Sequence, residues 1–139
     1  MDQVKNVKFL GEMLYSIHMN TLSFHLLRIG LAITFVWIGV FILQDLRGWE
    51  LMIQPWALKL LSGSLAFAMV STAILDIVVG LFLLLNIWTW FFAFVGALHL
   101  IIVFITVGIN IITVRDIGLL FATAALMVGS LPTWIVRRF

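Results

Sequence analysis

The stretch LAFAMVSTAILDIVVGLFLLL, residues 65–85, is apolar throughout except for one charge, Asp76. About 20 apolar residues in helical form cross the roughly 30 Å of hydrocarbon in a bilayer. Lipid offers backbone groups no hydrogen bonds, so a stretch this apolar spans a membrane only as a helix. A carboxylate near the middle of such a helix costs about 2.5–3.5 kcal/mol on insertion scales. The fold must offset that cost with a partner, a proton, a water-filled cavity or a ligand. The segment therefore predicts a membrane helix and marks a site on it.

Three further spans read the same way: Phe24–Leu43, Trp88–Val107 and Ile117–Leu131, with the second span beginning at Leu61. The period-two alternation of a membrane barrel is absent. The expected fold is all-α, a four-helix transmembrane bundle over residues 24–139 preceded by an N-terminal segment, residues 1–23. In that segment Phe9, Leu10, Met13, Leu14 and Ile17 recur at helical spacing among Lys5, Lys8, Glu12 and Ser16, the pattern of an interfacial amphipathic helix. Thr21 or Ser23 is placed to cap the first span. The connection Gln44–Leu60 is long enough for an interfacial or re-entrant piece. Asn86 and Ile87 leave room only for a tight turn, so the second and third spans form an antiparallel hairpin.

Composition narrows the chemistry. Sixty-four per cent of residues are hydrophobic and 10% charged, with a strongly positive mean hydropathy, as in integral membrane proteins. The net charge of +2 sits at span ends and forms no nucleic-acid footprint, so nucleic acid is not an expected partner. The chain has no cysteine, which excludes disulfides, thiol redox chemistry, Cys-ligated zinc and iron–sulfur clusters. Redox work would need a bound small molecule such as a quinone, or a His-ligated metal or haem. The N-terminal region does not read as a cleavable leader, because its first apolar run starts late and no small-residue cleavage site follows. With both termini on one face, Lys5, Lys8, Arg28, Arg137 and Arg138 oppose Arg47, Lys59 and Arg115, and the positive-inside rule favours cytoplasmic termini. Trp49 and Trp56 at one face, with Trp88, Trp90 and Trp134 at the other, suit aromatic belts.

Asp76 and His99 form the leading candidate pair. Counting 1.5 Å per residue, Asp76 lies about 15 Å from the Asn86 end of its span and His99 about 16 Å from Trp88. Adjacent antiparallel helices thus carry them at one depth, where a carboxylate–imidazole pair could give or take the proton that accompanies quinone reduction. The alternative is that Asp76 is simply protonated, or bonds Thr72, Ser71 or a backbone carbonyl, and serves packing alone. On the first span, Arg28 is either a snorkelling anchor or a cation reaching inward, and with Trp37 it is a candidate ligand contact. Gly30 and Gly39 flank Trp37 and suit close helix packing. His18 and His25 differ too much in depth from His99 for a bis-His haem, and no metal site is expected. Arg115-Asp116 reads as the start of the last helix, with Asp116 favoured there by the macrodipole; a cluster shaping an entry to the bundle is the other reading.

Four segments in order resemble the DoxX family. They are Leu27-Arg28-Ile29-Gly30-Leu31-Ala32 followed by Phe35-Val36-Trp37-Ile38-Gly39; Trp49-Glu50-Leu51-Met52-Ile53-Gln54-Pro55-Trp56; Leu75-Asp76-Ile77-Val78-Val79-Gly80-Leu81-Phe82-Leu83; and Arg115-Asp116-Ile117-Gly118-Leu119-Leu120. The family usually carries Glu where Asp76 stands. The resemblance implies a small multi-pass protein of the inner (cytoplasmic) membrane, a subunit of a quinone-linked or other membrane oxidoreductase complex. The alternative it leaves is a non-catalytic accessory subunit packed on larger membrane partners. A transporter is less favoured, because no pair of broken helices suggests a substrate site.

Overall fold

The computed structural model describes residues 21–61 and 65–132. Six helices occupy them: α1 (Thr21–Gln44), α2 (Leu46–Glu50), α3 (Pro55–Leu61), α4 (Leu65–Leu85), α5 (Thr89–Val107) and α6 (Ile111–Gly129). No strand occurs among the described residues. Four of the helices, α1, α4, α5 and α6, are long and apolar enough to cross a membrane. Only 17–33% of the most apolar stretch of each is buried inside the protein. Side chains such as Phe67, Ile105 and Phe121 project outward, a surface that requires lipid rather than water. The protein is an all-α four-helix membrane bundle. The amphipathic helix expected over residues 1–23 lies, up to residue 20, outside the described residues, as do His18, Trp134, Arg137 and Arg138.

Each long helix buries one stripe. On α4 it is Ala73, Asp76, Val79, Gly80 and Leu83; on α5 it is Thr89, Ala93, Gly96, Ala97 and Leu100. The 3.6-residue period selects these faces from sequences that are apolar all round. The helices pack chiefly as two pairs, α1 with α4 and α5 with α6. The α1–α4 seam runs antiparallel on small residues. A Cβ on Gly39 would lie 2.6 Å from the carbonyl oxygen of Ala73, and one on Gly80 would lie 2.7 Å from that of Ala32. Backbone meets backbone there, the close approach that drives association in lipid, where hydrophobic attraction between helices is lacking. Gly30 has no such role, since it is exposed with open space around it.

The turn between α4 and α5 confirms the hairpin. Asn86 and Trp88 adopt positive φ (58° and 48°), and Thr89 donates its hydroxyl to the Asn86 side chain at 2.9 Å. The last helix starts earlier than the charged pair suggests. Asn110 caps it, accepting from the Ile112 and Thr113 amides at 2.8 and 3.0 Å, while its own amide donates to the Thr113 hydroxyl at 2.8 Å. This reciprocal capping box satisfies donors that would otherwise be orphaned. Arg115 and Asp116 therefore lie in the second turn, and Asp116 is not the cap.

The connection between α1 and α4 folds back over one end of the bundle. Asp45 caps α2 through Gly48 N–H at 3.0 Å, and Ile53 and Ala57 are buried. The backbone N–H of Gln54 donates at 2.9 Å to the carbonyl of Thr106, in the last turn of α5. Below this lid the bundle has two unlike halves. The half towards the α4–α5 turn is a packed core of Leu31, Phe35, Val79, Leu83, Ala93 and Leu126. The half under the connector encloses a cavity.

Candidate functional site

The cavity measures about 240 Å³ and reaches from the connector to Asp76 and His99. Its walls follow helical spacing. On α4 they descend from Met69 through Thr72 to Asp76, and on α5 from Val107 through Val103 to His99. Positions three to four apart share a helix face, so these rungs are consecutive turns. Phe35 and Leu100 form the floor. Beneath them Val79 and Gly96 close together, with a Cβ on Gly96 set to meet Val79 at 3.2 Å, and Phe82 stacks on Phe92 with ring centroids 4.1 Å apart.

Asp76 and His99 meet as the depth arithmetic predicts. His99 Nε2 stands 3.3 Å from Asp76 Oδ1. The carboxylate is almost wholly buried, with 3% of Asp76 exposed. The contact is close enough for an ion pair but lacks hydrogen-bond geometry, and Asp76 Oδ1 has no hydrogen-bond partner. Thr72 sits one turn away on the same wall without donating to that oxygen, and Ser71 faces outward. Neither Thr72 nor Ser71 bonds Oδ1, so of the packing readings a protonated Asp76 is the one this geometry accommodates. A buried carboxylate oxygen without a donor is costly unless a proton, water or ligand group supplies one.

Asp116 is the residue that sequence reasoning misplaced. It is buried, lines the same cavity nearer the connector, and is bonded by Arg115, whose Nη2 and Nε donate to its Oδ1 at 3.2 and 3.3 Å. Arg115 itself is largely exposed, with 63% of its side chain accessible. The readable signal was Asn110 three residues before Thr113, a capping pair that moves the helix start and turns Asp116 inward. Trp49, expected in an interfacial belt, lines the cavity as well.

The other two candidate residues lie apart from this centre. Arg28 is buried at the opposite end of the bundle, where Nη1 donates to the carbonyl of Leu83 and, at 2.8 Å, to that of Leu84. These are last-turn carbonyls of α4, so the guanidinium closes a helix C-terminus and opposes its dipole. It neither snorkels outward nor reaches Asp76. Trp37 is exposed and packs edge-to-face on Phe41, with centroids 5.7 Å apart, on a second groove between α1 and α6. That groove shares Ile38, Trp49, Ile112 and Arg115 with the main cavity. Among the described residues no group of three or more His, Asp or Glu side chains is arranged to hold a metal ion. Comparison of the chain with protein-family models, curated proteins and solved structures finds no match.

Proposed function

We propose that the protein is a DoxX-like membrane subunit of an oxidoreductase complex, with the Asp76–His99 cavity taking the headgroup of a quinone. The observation that carries this reading is the orphaned Asp76 Oδ1 beside His99 Nε2 at the inner end of a mainly apolar cavity whose rim carries Arg115 and Asp116. Drug-sized ligand pockets occupy roughly 300–1,000 Å³, so a cavity of about 240 Å³ suits a single ring and leaves a long tail outside. The groove carrying Trp37 adjoins it on the outer side of the bundle, where Trp37 and Phe41 are exposed. The order of the DoxX-like segments supports the same class.

Quinone supplies two-electron chemistry coupled to two protons when bound. Asp76 would accept a hydroxyl hydrogen at Oδ1, and His99 would hold or return a proton at Nε2. The electrons pass to or from a redox centre of a partner subunit, because the cysteine-free chain holds no iron–sulfur cluster of its own. The binding test uses the purified chain in lipid nanodiscs with the reduced form, decylubiquinol, whose hydroxyls can donate to Asp76, read by quenching of tryptophan fluorescence; Trp49 lines the cavity. A hydrogen bond to a charged group is worth about 1.5–3 kcal/mol, so Asp76→Asn should weaken binding about tenfold or more. Undiminished affinity in a correctly folded Asp76→Asn variant overturns the proposal.

A further inference from the structure

The cavity has one closed end and one end near solvent, and that asymmetry has a functional reading independent of any quinone. Below Asp76 and His99 the bundle is sealed: Val79, Leu83 and Ala93 are at most 1% exposed. Above them the cavity continues past Thr72 and Val103 to Asp116 and to the exposed Arg115. Asp76 lines this space, its Oδ1 buried and without a hydrogen-bond partner, and about 240 Å³ holds several waters, each needing roughly 10–15 Å³ of such volume and two or more polar partners. Asp76, His99, Asp116, Arg115 and Thr72 supply those partners. Of the charged groups on the packed elements, Arg28 is spent on the far end of α4. Of the connector's described residues, Trp49, Met52 and Ile53 line the wall.

We propose that the cavity is a one-sided aqueous vestibule, through which the Asp76–His99 pair exchanges protons only with the membrane face that carries the connector. Asp116 is the intermediate station. A proton reaches its carboxylate at the Arg115 rim, crosses through water to Asp76, and returns by the same route. No covalent bond changes and no electron moves in this exchange. When Asp76 gives up its proton, two carboxylates face one rim guanidinium and the interior attracts cations. Whichever ligand the site takes, its protons are drawn from or released to one compartment.

The absence of native cysteine gives a clean background for the test. In sealed proteoliposomes, Leu51→Cys marks the connector face and Ile87→Cys the opposite one, both positions being exposed. Thr72→Cys and Val103→Cys should react with a membrane-impermeant cationic methanethiosulfonate from the Leu51 side alone. The preference over the anionic reagent should be about tenfold, falling to a few-fold when Asp116→Asn is added. Ile105→Cys, on the outward face, should stay inert. In the unsubstituted chain, a charged carbodiimide with an amine nucleophile should modify Asp76 and Asp116 from the connector face only. Reaction from the Ile87 side, silence at both rungs while Leu51→Cys reacts, or equal rates for the two reagents each overturns the vestibule. A chain that binds no quinone analogue yet labels from one side refutes the quinone reading and leaves the vestibule standing.

Discussion

Gly80→Ala is the sharpest test of how the bundle holds its site. A Cβ at Gly80 would lie 2.7 Å from the Ala32 carbonyl oxygen and 2.9 Å from the Val36 amide nitrogen. Both are backbone atoms of α1, so no rotamer change relieves the clash and the helices must separate. Overpacking of this kind costs about 1–3 kcal/mol. Alanine also favours a helix over glycine by about 0.8–1.0 kcal/mol, which would mask part of the loss. Gly30→Ala removes that ambiguity, because a Cβ there meets nothing within 4 Å while the propensity gain is the same. The expected difference between the two variants is therefore about 1–3 kcal/mol, with Gly30→Ala at or above wild type. Gly39→Ala strikes the same seam through the Ala73 carbonyl. Since one separation of α1 from α4 relieves both clashes, the double variant should lose less than the sum of the singles. Unfolding in mixed micelles, titrated with dodecyl sulfate and followed by circular dichroism, measures all four. Equal stability of Gly80→Ala and Gly30→Ala would refute the seam.

Two further outcomes follow from single contacts. Arg28→Gln should lose about 1.5–3 kcal/mol, the value of charge-assisted bonds to the Leu83 and Leu84 carbonyls, with faster amide hydrogen exchange confined to the α4–α5 turn; protection unchanged at Asn86–Thr89 would contradict the capping role. Gly108→Ala places a methyl on Gln54 Nε2 at a position with φ of 76°, so it should displace the connector, shift Trp49 and Trp56 fluorescence and speed labelling of Val103→Cys; an unaltered emission spectrum and labelling rate would show that Gln54 does not latch the lid.

Much of this architecture is readable from the chain, for identifiable reasons. Span length and the short Asn86–Trp88 link determine the hairpin, and a constant rise per residue then puts Asp76 beside His99. What resists reading depends on rotation and on neighbours. Gly30 and Gly39 look alike in sequence, yet only Gly39 faces α4. The partner of Arg28 is the end of a helix more than fifty residues away, which no local pattern reveals. Asp116 reads as a helix start because the apolar run begins at Ile117 and the macrodipole favours an acid there, whereas the stronger local signal is the Asn110–Thr113 box.

The pairing of helices also has a mechanical consequence. Backbone contact along Ala32, Gly39, Ala73 and Gly80 makes α1 and α4 one stiff plate, and α5 with α6 forms a second, joined to the first by the link at Asn86–Trp88. The carboxylate of Asp76 belongs to one plate and the imidazole of His99 to the other. Their 3.3 Å contact is thus a gauge across the joint. A small rotation of one plate against the other would align the near miss into a hydrogen bond, and a separation of about 2 Å would open a gap wide enough for a bridging water. Load applied to either plate would be read out at the Asp76–His99 contact.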